Sequence, residues 1–132
     1  MPKTAEKIEQ QSFDKPAEVR ECDKCRVEVV KVGGAVIGRA TFEPGWQWSK
    51  SLKPIVKTGS CESEHLLFQV SGTMRVRMDD GVEFTSEAGD VVKIPAGHDA
   101  WVEGTEKVVV VDFEGMKDYA KDAEGGRGDR VK

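Results

Sequence analysis

Residues 65–97 read HLLFQVSGTMRVRMDDGVEFTSEAGDVVKIPAG, and this stretch decides the fold. Short apolar or alternating segments in it are separated by glycines, and the spacing continues just beyond it. The intervals are nine, eight, eight and seven residues between Gly72, Gly81, Gly89, Gly97 and Gly104. Such spacing is typical of short antiparallel strands joined by turns. The stretch therefore predicts an all-β domain, either a barrel or a sandwich.

The composition of the whole chain favours the same fold class. Its 132 residues suit one domain, since domains take roughly 100–200 residues. The large aliphatic residues comprise 18 Val and 4 Ile against 3 Leu, and β-branched side chains favour pleated strands over helices. A net charge of −4, with 33% charged and 38% hydrophobic residues, indicates a soluble globular protein with a core of its own.

Turn residues separate the segments that we predict as strands. Gly33-Gly34 and Asp79-Asp80-Gly81 each suit a tight hairpin turn, because glycine supplies a positive φ. Pro95 removes a backbone donor and so ends the strand before it. The predicted strands are Arg26–Val32, Ala35–Phe42, His65–Val70, Thr73–Met78, Val82–Ser86, Asp90–Ile94 and Lys107–Phe113.

These segments divide the chain into three parts. Residues 1–21 form a polar N-terminal segment, residues 22–119 the β-barrel domain, and residues 120–132 a charged, glycine-containing tail that we expect to be disordered. The N-terminal segment lacks the apolar run of a secretory signal or membrane anchor, and the acidic balance disfavours nucleic acid. We therefore expect a cytoplasmic protein with no membrane or nucleic-acid partner.

The cysteines are Cys22, Cys25 and Cys61. An odd number in a chain without an export signal predicts reduced thiols rather than a disulfide framework. Cys22 and Cys25 have the CxxC spacing of some zinc and redox sites, but no second CxxC pairs with them and no βαβ pattern surrounds them. An exposed, incidental thiol pair is the preferred interpretation.

Both histidines of the chain lie beside turns that border apolar strands. Alternation in His65–Val70 places His65, Leu67 and Gln69 on one face, and the other face is wholly apolar. Such a strand is covered on both sides, so we expect the face of His65 and Gln69 to line an interior cavity. The alternative is a core histidine whose nitrogens are satisfied by hydrogen bonds.

Residues 89–97, GDVVKIPAG, match the pattern G-x5-P-x-G, which resembles the second signature of the cupins, a family of small jelly-roll β-barrels. The resemblance covers about residues 41–113 and implies a double-stranded β-helix, or jelly-roll, barrel with flexible termini. The first cupin signature, H-x-H-x3-4-E-x6-G, aligns through Gly72. It places His65 at the glutamate, Cys61 at the second histidine and Gly59 at the first.

The three-histidine, one-glutamate metal site of that family is not carried over. Its last ligand position falls on Ala100, and His98 instead follows Gly97 directly. The cupin-like register nevertheless implies that Cys61, His65 and His98 converge at the mouth of the barrel. The pocket around them would be lined by Trp46, Trp48, Gln69, Asp99 and Trp101.

Cys61, His65 and His98 admit three interpretations. A thiolate and two imidazoles are competent ligands for a divalent metal ion, with zinc, iron, nickel, manganese and copper all open. The thiolate could instead be a nucleophile activated by an imidazole, or His98 with Asp99 a positioned acid or base. The third interpretation is a polar cluster in a pocket that binds a small molecule without turning it over.

The leading hypothesis is a small single-domain cupin of unassigned activity that binds a small molecule or a metal ion in the barrel pocket. The alternative is a metal-dependent cupin enzyme of the dioxygenase or isomerase type, which uses Cys61, His65 and His98. The sequence leaves open whether the protein is an enzyme, and it names neither the ligand nor the metal.

An apolar outer face predicts a homodimer. Leu66, Phe68 and Val70 share the outward side of their strand, and the Val108–Val111 run is too uniform to hide all its side chains on one side. Monomers seldom expose such patches, and closed two-fold dimers are the commonest soluble assembly. A loop or the N-terminal arm is the alternative cover.

Overall fold

A computed structural model gives the architecture and describes residues 7–51 and 63–117. The predicted tail at residues 120–132 lies outside these ranges. No helix within them is long and apolar enough to cross a membrane. Their elements in chain order are β1 (Glu18–Cys22), β2 (Cys25–Val32), β3 (Ala35–Phe42), α1 (Trp48–Ser51), β4 (His65–Ser71), β5 (Thr73–Met78), β6 (Glu83–Glu87), β7 (Val91–Ile94), β8 (His98–Glu103), β9 (Val108–Asp112) and a 3₁₀ turn (Gly115–Lys117).

The strands of these residues form two antiparallel sheets. One has six strands in the order β1-β2-β3-β9-β4-β7, and the other has three in the order β6-β5-β8. After β3 the chain alternates between them, since β4, β7 and β9 belong to the first sheet and β5, β6 and β8 to the second. An isolated bridge between Gln47 and Trp101 adds a further position beside β8. This crossing pattern is a jelly roll, and the predicted all-β jelly-roll class is confirmed.

The core lies between the sheets and follows from period-two alternation. In β5, Met74 and Val76 are buried, while Arg77 points outward. The same alternation in the other strands buries one face of each. The principal apolar core residues are Val27, Val29, Ala40, Phe42, Leu67, Met74, Val76, Ile94, Val102, Val108 and Val110.

The β2–β3 hairpin has the turn that the sequence predicts. Gly33 and Gly34 have φ values of 60° and 80°, and a type I′ turn needs a positive φ at both positions. The register then runs without a break from Val32 opposite Ala35 to Cys25 opposite Phe42.

Strand β1 lies within the segment that the sequence analysis assigned to a polar N-terminal arm. The barrel therefore begins at Glu18 rather than at residue 22. The buried residue of this strand is Arg20, so an apolar alternation is absent. Its guanidinium pairs with Glu18 at 2.9 Å and donates to the carbonyl oxygen of Met116 at 2.7 Å. Burial of a charge requires such compensation, which only the folded chain supplies.

Cys22 and Cys25 are joined by a disulfide at the end of the β1–β2 hairpin. This differs from the reduced, exposed thiol pair expected from the sequence, and Cys25 is in fact buried. The reason is the strand register, which places the two residues opposite each other with Cα atoms 5.0 Å apart. That separation lies within the range that a disulfide spans.

Gln69 connects the two sheets. Its side chain is fully buried; Nε2 donates to the carbonyl oxygen of Gly72 at 2.8 Å, and Oε1 accepts from the Ser86 hydroxyl at 2.5 Å. Gln69 belongs to β4 and Ser86 to β6, which lie in different sheets. The amide is therefore a structural link between the layers of the barrel.

We expect Ser86→Ala to destabilise the protein by about 1–3 kcal/mol, because it leaves the buried Oε1 of Gln69 without its donor. The control is Glu87→Gln on the exposed side of the same strand, which should change stability by no more than about 0.5 kcal/mol. Urea unfolding measures both. Equal effects of the two substitutions would contradict the role assigned to Gln69.

Candidate functional site

His65 and His98 meet at one end of the barrel. His65 is the first residue of β4 in the six-stranded sheet, and His98 is the first residue of β8 in the three-stranded sheet. Their ring centroids are 5.3 Å apart and the ring planes are inclined by 69°. Both side chains are buried. The fold thus brings together two imidazoles that lie far apart in the sequence.

Asp112 at the end of β9 holds the His65 ring. Nδ1 of His65 lies 2.5 Å from Oδ2 of Asp112. A carboxylate oxygen only accepts, so Nδ1 carries a proton and donates it. The other oxygen, Oδ1, accepts from the backbone amides of Glu114 and Gly115 at 3.0 and 2.9 Å. Both oxygens of this buried carboxylate are therefore engaged.

These contacts determine the charge of Asp112. Burial acts to raise the pKa of its carboxyl group, but the hydrogen bond and charge of His65 and the amides of Gly115 and Glu114 act in the opposite direction. Together they outweigh burial and lower the pKa below the ordinary value of 3.8. Asp112 is therefore an anion at neutral pH, and its charge lies against Nδ1 of His65.

His98 is oriented in a similar way by a backbone carbonyl. Its Nδ1 lies 2.8 Å from the carbonyl oxygen of Pro95, which can only accept, so Nδ1 again carries the proton. In a neutral ring the lone pair then belongs to Nε2, and the same holds for His65. Histidines that ligate metals typically donate the other ring N–H to a carboxylate or a backbone carbonyl, as these two do.

The two rings border an internal cavity with about 30 Å³ of room for the centre of a water molecule. One water needs about 10–15 Å³ on this scale, whereas pockets for drug-sized ligands measure roughly 300–1,000 Å³. The cavity therefore suits an ion, a water or one small group. Apart from His65, His98 and Asp112, its wall is apolar or aromatic: Phe42, Trp46, Trp48, Leu67, Met74, Ile94, Ala100, Val110 and Met116.

Trp46 adds a polar atom to this wall. Its indole Nε1 is buried and has no hydrogen-bond partner among the residues that the structure describes. The ring packs on Phe42, with centroids 4.1 Å apart. An unpaired buried donor costs about 1–3 kcal/mol. A water or ligand oxygen within reach of Nε1 would recover that free energy.

The chain after β9 closes the cavity. The side chain of Met116 lies so close to Gly38 that a Cβ there would overlap it. Arg20 holds the same segment by its bond to the Met116 carbonyl. A Cβ at Gly115 would overlap the His65 ring. Two glycines thus allow the segment to pack directly against the sheet and the histidine.

Of the five residues expected to line the pocket, the structure places two in the cavity wall and three elsewhere. Trp46 and Trp48 lie in the cavity wall, although neither belongs to a strand. Gln69 faces inward but links the sheets instead. Asp99 accepts from Nε2 of Gln47 at 2.9 Å and from the amide of Ser49 at 3.0 Å. It therefore holds α1 against β8 rather than lining the cavity.

Trp101 lies outside the cavity wall because of its strand parity. In β8 the buried residues are His98, Ala100 and Val102, so Trp101 faces the other way. Its Nε1 donates to Glu103 at 3.2 Å. His98 is the first residue of this strand.

Asp112 and Met116 are site residues that the sequence analysis missed. Parity offered a signal for the first: Val108, Val110 and Asp112 occupy the same side of β9, and all are buried. A carboxylate that continues an apolar face needs a buried partner. No comparable pattern indicates Met116, since it follows the last strand.

Cys61 lies outside the described residues. Within residues 7–51 and 63–117, no group of three His, Cys, Asp or Glu side chains is placed to hold a metal ion. The described part of the site therefore offers two imidazoles as ligands. Asp112 accepts a hydrogen bond from Nδ1 of one of them, His65.

Comparisons with known proteins agree with the strand topology. No protein-family model and no curated protein matches the chain. Its structure is similar to that of a protein of unknown function (DUF1255) from Acinetobacter sp. ADP1, with 16% identity, a TM-score of 0.51, and coverage of 69% of this chain and 81% of that one. KdgF from Halomonas sp. matches with 17% identity, a TM-score of 0.51, and coverage of 73% and 83%. The chain has the cupin fold.

The cupin signature has a clear place in this fold. Strand β7 lies inside the motif of residues 89–97, between Gly89 and Gly97 with φ values of 95° and 90°. A cupin-like protein from Thermotoga maritima also matches, with 19% identity, a TM-score of 0.49, and coverage of 68% and 67%. At such identities the similarity is one of fold alone.

Asp112→Asn should reduce the acid sensitivity of the protein. Because the pKa of Asp112 is lowered on folding, its stabilising contribution is complete above the ordinary value of 3.8 and is lost as the pH falls through the folded-state pKa. Urea unfolding between about pH 7 and pH 3 should therefore show a smaller acid-side loss for the variant than for the wild type. The exposed Asp23→Asn is the matched control and should keep the wild-type profile. An unchanged acid-side loss in Asp112→Asn would refute the assignment.

Proposed function

We propose that this cupin-fold protein binds a transition-metal ion in its cavity, through Nε2 of His65 and Nε2 of His98. The observation that carries the proposal is the hydrogen bonding of the other ring nitrogen, Nδ1. In His65 this atom donates to Asp112, and in His98 it donates to the carbonyl oxygen of Pro95. These acceptors select the tautomer in which Nδ1 carries the proton, so that the lone pair of the neutral ring lies on Nε2. They also orient each ring, as partners behind metal-ligating histidines do.

Cys61 is the third ligand in this proposal. The cupin alignment of the sequence assigns it to a ligand position four residues before His65. A thiolate and two imidazoles leave one position of a tetrahedral ion open for water or a small molecule. A metal ion in this position would act as a Lewis acid on an oxygen-bearing ligand. The aromatic wall, with Trp46 as a hydrogen-bond donor, would contact that ligand and exclude water from it.

The His65–Asp112 pair favours a second candidate, a metal-dependent cupin enzyme of the dioxygenase or isomerase type. A carboxylate behind a ligating histidine orients the ligand in catalytic metal sites too, so the pair would serve a metal-dependent enzyme in the same way. Metal content bears on both candidates, because an enzyme of this kind requires the ion as well. Turnover of a bound ligand by the metal-loaded protein would then distinguish the enzyme from the binding protein.

Protein purified without chelator should carry near-stoichiometric metal, and His65→Ala, His98→Ala and Cys61→Ser should each lose most of it. The first two remove an imidazole ligand, and a serine hydroxyl cannot replace a soft thiolate. Elemental analysis by mass spectrometry measures the content. A double Cys22→Ser, Cys25→Ser variant, which removes the disulfide between β1 and β2 outside the cavity wall, should retain the wild-type amount. Trace metal in the wild type, or full retention by His98→Ala, would overturn the proposal.

We also propose that the protein forms a homodimer through its outer apolar face, defined as Leu66, Phe68, Val70, Val91 and Phe113. These side chains are between 37% and 70% exposed. They form one continuous surface, because β7, β4 and β9 are neighbours and Phe68 lies opposite Val91. Lys93, the cation beside Leu66, is already paired with Glu114 at 2.5 Å. A second copy could therefore cover the face without opposing unpaired like charges.

Light scattering at micromolar concentration should give twice the chain mass of 14.5 kDa. Phe68→Glu should shift the species to the monomer mass, because a two-fold axis would bring two buried carboxylates together. Val82→Glu, an equally charged substitution at an exposed apolar residue outside this face, should leave the dimer intact. A wild-type species that stays at the monomer mass on concentration would refute the dimer.

A further inference from the structure

Two methionine thioethers lie in the cavity wall with the two imidazoles. Met74 on β5 and Met116 in the 3₁₀ turn both border the cavity, with exposures of 5% and 1%. Met78, the other methionine among the described residues, does not border it. The wall therefore combines nitrogen ligands with soft sulfur atoms.

The described part of this wall has one carboxylate, and both of its oxygens already accept hydrogen bonds. This carboxylate is that of Asp112, which accepts from His65, Glu114 and Gly115. The polar atom of Trp46 is an N–H, which donates and cannot ligate. The atoms left to complete a coordination shell beside the imidazoles are the thioether sulfurs.

The chemical softness of these ligands limits which metal ions the site would prefer. Thiolates and thioethers favour Cu(I), zinc and iron–sulfur clusters, while carboxylate, carbonyl and water oxygens suit manganese and other hard ions. Zinc sites in proteins use Cys, His and carboxylate ligands rather than Met. A donor set of imidazole and thioether therefore discriminates in favour of copper among the metals that two histidines could hold.

The apolar wall favours the lower charge state as well. The cost of moving an ion from water into a medium of low dielectric constant increases with the square of its charge, so a monovalent ion enters this cavity at a smaller penalty than a divalent one. The cavity also has room for an ion with few waters. Both conditions match Cu(I), which takes few ligands of neutral, polarizable type.

The position of Met116 is defined by contacts on several sides. Gly38 leaves the space that its side chain fills, and Arg20 holds its carbonyl oxygen at 2.7 Å. The residue before Met116 is Gly115, which has no Cβ and therefore packs directly against the His65 ring. The side chain of Met116 is thus held in the wall of the cavity that His65 also lines.

We infer that the metal of this site is copper, bound preferentially as Cu(I) by the imidazoles of His65 and His98 together with the thioether of Met116. The inference rests on the proposed function, because it specifies the ion of the same site. It adds a ligand, Met116, which would take the position that Cys61, His65 and His98 leave open on a tetrahedral ion, and a selectivity that the two histidines alone would not produce.

The test compares Cu(I) and Zn(II) binding by the full chain stripped of metal. Cu(I) affinity is measured by competition with bicinchoninate in the presence of ascorbate, and Zn(II) affinity with a chromophoric chelator. Met116→Leu, which keeps the volume but removes the sulfur, should lower Cu(I) affinity by at least about tenfold. Met78→Leu, the same change outside the cavity, should leave it within about twofold.

Zn(II) affinity reports on the integrity of the fold and of the histidine pair. It should stay within about twofold in both variants, because zinc does not use the thioether. X-ray absorption of Cu(I) bound to Cys61→Ser, where the remaining sulfur near the site is thioether, should still show sulfur scattering. This second measurement holds even if Met116→Leu folds poorly.

The outcomes separate the two proposals. Equal Cu(I) affinity in Met116→Leu and Met78→Leu, or copper in Cys61→Ser surrounded only by nitrogen and oxygen, would overturn the thioether site and leave the histidine metal site standing. A wild-type protein that binds neither Cu(I) nor Zn(II) would overturn the proposed function and this inference together.

Discussion

The hydrogen bond from His65 to Asp112 is the contact on which the site depends. It joins the start of β4 to the end of β9 inside the barrel, and it determines which nitrogen of His65 carries the proton. The second oxygen of Asp112 holds the amides of Glu114 and Gly115, where the chain turns over the cavity. One buried carboxylate thus controls both the chemistry of a cavity ring and the path of the segment that covers it. Loss of its charge would weaken both hydrogen-bonded links at once, since hydrogen bonds to an ionised acceptor are the stronger ones.

The jelly-roll path explains why two distant histidines meet. The chain crosses from one sheet to the other between β4 and β5 and again between β7 and β8. His65 and His98 are the first residues of strands in opposite sheets, and these strand ends close the same end of the barrel. The wall around them is almost wholly apolar. In such surroundings a hydrogen bond or ligand bond is stronger than in water, and an unpaired polar atom costs more.

Much of the fold could be predicted from local patterns. The glycine spacing after residue 65 predicts short strands, and the hairpin at Gly33-Gly34 has the turn that two positive φ values require. Parity in β4 predicts that His65 faces inward and Phe68 outward, and the structure has both. These predictions succeed because side-chain alternation and turn geometry depend on a few neighbouring residues.

Predictions that required a partner from elsewhere in the chain fared less well. Arg20 looks like a surface residue in the sequence, yet it is buried, since Glu18 and the carbonyl of Met116 compensate its charge. Gln69 has the inward parity of a pocket residue but is used to join the sheets through Ser86. In each case the deciding contact lies on another strand or beyond the last one.

The amino-acid sequence by itself determined the all-β class, the hairpins, the inward faces and the cupin-type motif of residues 89–97, because each is written in residues close together along the chain. Only the tertiary structure decided which inward residues share the cavity, since burial alone does not distinguish a wall residue such as Met116 from a link such as Gln69. It also decided the tautomer of His65, because the acceptor that fixes it, Asp112, lies on a different strand. Local physics specifies the elements of this protein, and contacts between residues remote in sequence specify its chemistry.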